Sequence, residues 1–63
     1  MQYIVTRRVM ETGQVLSRDS YDALDQAILE AKKPYRVRFE ISVMVEDDNG
    51  RELLSDTTGG AGE

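Results

Sequence analysis

The sequence predicts a small α+β domain of order ββαββ, in which a four-stranded antiparallel sheet of spatial order 2-1-3-4 carries one helix on one face. Three observations predict it. Tyr35, Val37, Phe39, Ile41, Val43 and Val45 alternate with Arg36, Arg38, Glu40, Ser42, Met44 and Glu46, the period-two pattern of a long half-buried strand. Tyr21, Leu24, Ala27, Ile28 and Ala31 recur at helical spacing and form one apolar stripe. Two polar breaks with glycine, Glu11-Thr12-Gly13-Gln14 and Asp47-Asp48-Asn49-Gly50, divide the rest into hairpins.

Strand 1 is expected over residues 2–10, which are rich in β-branched and aromatic types. Its core side is read as Tyr3, Val5 and Val9 together with Arg7; a one-residue slip would exchange the faces. Gly13 can supply the positive φ of a bulged hairpin, and strand 2 follows from Val15 to about Asp19. The preferred register sets Met10 against Gln14, Val9 against Val15 and Arg7 against Ser17. The helix begins at an Asp22 N-cap, carries Asp25 in its positive first turn, and ends with Lys32 and Lys33 before Pro34.

Strand 3 runs from Tyr35 to Glu46. Asn49-Gly50 suits the centre of a type I′ turn into a short strand 4 from Arg51 to Ser55. The domain is therefore residues 1–56, and residues 57–63, with too few apolar groups to offset ordering entropy, form a flexible Gly-rich tail. A right-handed crossover from strand 2 to strand 3 places the helix on the apolar face. Leu24, Ile28, Phe39, Ile41 and Val43 are the expected core centre, with Phe39→Ala costing roughly 3 to 5 kcal/mol.

With 63 residues the chain has a thin core at best. It has no cysteine and no histidine, so it lacks a disulfide framework and the side chains best suited to acid-base or nucleophilic work near neutral pH. The expectation is a noncatalytic protein without metal or cofactor. No apolar run reaches the length of a membrane span, and the start lacks signal-peptide order, so a cytoplasmic location is expected. Eight basic and twelve acidic side chains give a net charge of −4, which opposes nonspecific attraction to nucleic acid or anionic membranes.

Functional interest falls on the sheet face that the helix leaves bare. Arg8, Met10, Arg36, Arg38, Glu40 and Met44 are the candidate partner-binding residues, since arginines gather at one end, acids at the other, and adaptable methionines lie between them. The first expectation is a protein-interaction or regulatory module, including a homodimer through this face. The alternative is a nucleic-acid-binding domain using Arg7, Arg8, Arg18, Arg36 and Arg38 as a phosphate-contacting patch. Acids at Glu40 and Glu46 and the lack of interleaved aromatics count against it. A phosphate-mimicking acidic surface on Asp19, Asp22, Asp25 and Glu30 is a lesser branch, because acids belong in a helix's first turn for dipole reasons.

Two motif fragments fail on spacing. With Gly50 at the glycine position of a calcium loop, Val45 falls on the first ligand position. Gly59-Gly60-Ala61-Gly62 lacks the lysine of a phosphate loop. The hairpin-helix-strand order and Gly59-Gly60 resemble the ubiquitin-like β-grasp group, but the glycine pair is not terminal here. The short connection between strands 3 and 4 also does not lead to that group's parallel central pair. In size and texture the chain resembles small accessory proteins of bacteria and phages, without a diagnostic motif.

Overall fold

The computed structural model describes residues 1–33 and 37–60. Its elements are β1 (Tyr3–Val9), β2 (Val15–Tyr21), α1 (Leu24–Ala31), β3 (Glu40–Glu46) and β4 (Glu52–Gly59), and the strands form one sheet in the order β2-β1-β3-β4. Every neighbouring pair is antiparallel, including the central β1/β3 pair, which separates the fold from the β-grasp arrangement.

The core face of β1 is the one expected. Val5 pairs with Val45, Arg7 with Val43 and Val9 with Ile41, so all six share the side on which the helix packs. The buried cluster is Val5, Ala27, Ala31, Ile41, Val43 and Val45, and it is made of small and β-branched residues. Ala27 and Ala31 let the helix approach the sheet closely. Tyr3, Leu16, Tyr21, Val37 and Leu54 pack around this centre.

Arg7 sits on this face at 8% exposure, and its Nη2 donates a 2.7 Å hydrogen bond to the backbone carbonyl of Glu30. The stem is buried while the guanidinium meets the negative end of α1, where a cation is favoured. Arg7 ties strand to helix.

Several expectations are corrected. The chain bends at Arg38 and Phe39 and β3 starts only at Glu40, so the alternation breaks and Phe39 is left 42% exposed. Tyr35, Arg36 and the Pro34 stop lie outside the described residues. Leu24 opens the helix at 37% exposure and Ile28 is half-buried, so neither belongs to the buried centre. Ala23, not Asp22, occupies the N-cap, without a side-chain cap bond. Tyr21 ends β2 instead of joining the helix, though it still packs on the core.

Both turns depend on glycine at positive φ, but not as a type I′ pair. Gly50 (φ 80°) donates to the Asp47 carbonyl at 3.1 Å, while no non-glycine residue among those described has positive φ, so Asn49 is not left-handed. Asp47 explains the preference: its Oδ1 accepts from the Asn49 and Arg51 amides, each at 2.9 Å. In the first hairpin Arg7 opposes Ser17 as expected, but Arg8 opposes Val15 because the register slips past Leu16. Val9 therefore meets Gln14, donating to its carbonyl at 2.8 Å.

β4 is longer than expected. Thr57, Thr58 and Gly59 pair with Ser42, Ile41 and Glu40, and the Gly60 amide reaches the carbonyls of Val37 and Phe39, so these residues belong to the sheet and not to a tail. Residues 61–63 lie outside the described part. No helix among the described residues is long and apolar enough to cross a membrane.

Candidate interaction surface

Strand pairing assigns the second face row by row. Ser20, Ile4, Glu46 and Glu52 lie across one end of the sheet; Arg18, Thr6, Met44 and Ser55 form the next row; Arg8, Ser42 and Thr57 follow; Met10 and Glu40 close the far end, joined by the Met10 amide donating to the Glu40 carbonyl at 3.0 Å. No described element covers these rows. The helix contacts β1, β2 and β3 from the opposite side, and the thinnest dimension of 15 Å leaves room for only one sheet and one helix.

Charge on this face is divided lengthwise. The β2/β1 half carries Arg18 and Arg8, whereas the β3/β4 half carries Glu40, Glu46 and Glu52. Between them Ile4 and Met44 are half-buried, and Thr6 is only 3% exposed. Arg18 and Met44 are its cross-strand neighbours. Met10, Val15 and Leu53 remain exposed.

At the end where β1 stops and β3 starts, Met10, Glu11, Arg38, Phe39, Glu40 and Gly60 line an open groove of about 540 Å³. Gly60 shapes it. A Cβ there would stand 2.8 Å from Glu40 Cγ, and its φ of +71° is one that side chains rarely adopt.

Of the six candidate residues, Arg8, Met10, Glu40 and Met44 fall on the open face, and Met10, Arg38 and Glu40 meet at the groove. Arg36 lies outside the described residues. Of the other charged residues here, Arg18 belongs to the arginine patch the sequence suggests and Glu46 to the acids expected on this face, whereas Glu52 does not follow from the sequence pattern. The placement of Glu52 depends on cross-strand register, and the bulge in the second hairpin shifts that register in a way no hydrophobic pattern announces. The five-arginine patch does not assemble as drawn, since Arg7 is turned to the core and bonded to the helix.

Among the described residues, no group of three or more His, Cys, Asp or Glu is arranged to hold a metal ion. Comparison with known protein families, curated proteins and solved structures finds no match.

Proposed function

We propose that the protein is a noncatalytic interaction module, acting in the cytoplasm, whose bare sheet face docks on a protein surface. The observation that carries this reading is the inequality of the two faces. One face takes the helix and nearly all the buried apolar side chains, while the other holds a mixed charged and apolar surface with no described cover. The buried centre contains nothing larger than isoleucine, so docking would add burial that a domain of this size otherwise lacks. The absence of histidine and cysteine supports the noncatalytic part.

A photo-crosslinking amino acid placed at Met44, in the middle of the bare face, and at Leu29, 65% exposed on the helix, tests the reading. Protein adducts, with a second copy or another chain, are expected from position 44 and not from 29. Adducts to nucleic acid alone, or equal yields at both positions, would overturn it.

A further inference from the structure

We infer that the occupant of the bare face is a second copy of this chain, related to the first by a two-fold axis lying between the sheets and parallel to the strands. The inference rests on the interaction reading above and names its partner. It comes from the lengthwise division of charge.

A two-fold axis in that orientation sets β2 of one copy over β4 of the other, and β1 over β3, while keeping each row at the same height. Arg18 of one copy then lies over Ser55 of the other, beside Glu52 in the adjoining row, and Arg8 lies over Ser42, beside Glu40. The basic half meets the acidic half twice. An axis across the strands would instead stack β1 on β1 and β3 on β3, setting Glu46 over Glu40. Packed sheets stand about 10 Å apart and are rotated by about 30°, a spacing that long arginine and glutamate side chains bridge.

A second observation points the same way. Glu46 and Glu52 are direct cross-strand partners, a like-charge pairing that destabilises a sheet. Neither they nor Arg8, Arg18 and Glu40 make an ion pair with another described residue; the ion pair that does form, Lys33 with Glu30 at 2.8 Å, belongs to the helix end. Dimerisation in this orientation brings Arg18 of the partner subunit toward the paired acids. The apolar middle, Ile4 and Met44, becomes the dry centre of the interface.

Four strands about 4.8 Å apart and about 23 Å long offer roughly 440 Å² of projected face, at the low end for a specific interface, so dissociation in the micromolar range is expected. Sedimentation at 0.15 M salt, where repulsion between the two net-negative chains is largely screened, tests the inference with two charge-reversed chains, Arg8→Glu with Arg18→Glu and Glu46→Lys with Glu52→Lys. The native chain should be dimeric at about 100 μM, each reversed chain should associate at least about tenfold more weakly, and an equimolar mixture should recover a heterodimer. A native chain that stays monomeric to about 1 mM overturns the inference and leaves the docking reading to the crosslinking experiment. A dimer indifferent to both reversals, or two monomeric chains that ignore each other when mixed, overturns it as well. Should either reversed chain fail to unfold cooperatively, Arg8→Gln with Arg18→Gln decides: weaker association supports the two-fold arrangement, and unchanged association refutes it.

Discussion

Arg7 and Arg8 are adjacent in the chain and belong to different parts of the molecule. Arg7 lies on the helix side, paired with Val43, and holds the carbonyl of Glu30; Arg8 stands exposed beside Ser42 on the bare side. The same residue type ties strand to helix on one face and stands exposed on the other. Strand alternation alone makes the difference within the seven residues of β1.

The comparison is sharpest where the core is densest. Ile41→Ala, at a fully buried position, should cost about 2 to 5 kcal/mol in chemical denaturation, enough to leave a small domain largely unfolded. A variant that keeps native stability would show that the helix side is not the core. Arg7→Ala comes next, at about 1.5 to 3 kcal/mol for the lost charge-assisted bond, whereas Arg8→Ala should stay within about 0.5 kcal/mol. Equal losses at the two arginines would break the division. Gly60→Ala should lose about 1 kcal/mol and shift the Glu40 and Val37 amide resonances, since the new methyl meets Glu40. Phe39→Ala, at an exposed bend, should cost less than about 1 kcal/mol despite the size of the side chain.

That last value revises what the pattern of residues suggests, and the reason is local. The alternation from Tyr35 to Val45 is continuous in sequence, but strand geometry holds only from Glu40, after the bend at Arg38 and Phe39. Period-two spacing reports which side chains would share a face if the chain were extended; it carries no signal of where extension begins. Helical spacing likewise identifies the stripe, while the close approach to the sheet selects Ala27 and Ala31 over the larger Leu24 and Ile28 for its centre.

Element order, strand order and the core side of β1 are legible because each follows from apolar periodicity and turn residues. The extension of β4 to Gly59 is not, since Asp56, Thr57 and Thr58 have little apolar character and are held by pairing with Val43, Ser42 and Ile41. Part of the bare surface was legible too: Arg8, Met10, Glu40 and Met44 follow from parity on two central strands. Arg18 faces Thr6 in the register the sequence favours, whereas Glu52 sits on an outer strand beyond a bulge and becomes visible only once that ladder is drawn.

The two-face account is tested most directly on neighbouring residues of β3, with Val43→Glu and Met44→Glu compared for thermal unfolding and for sedimentation at the same concentration. Val43 is 1% exposed under the helix and Met44 lies on the bare face between Thr6 and Ser55. The account predicts that Val43→Glu abolishes cooperative folding, and that Met44→Glu folds cooperatively but sediments as a monomer where the native chain associates. A Met44→Glu chain that unfolds like Val43→Glu, or that associates like the native chain, would contradict it.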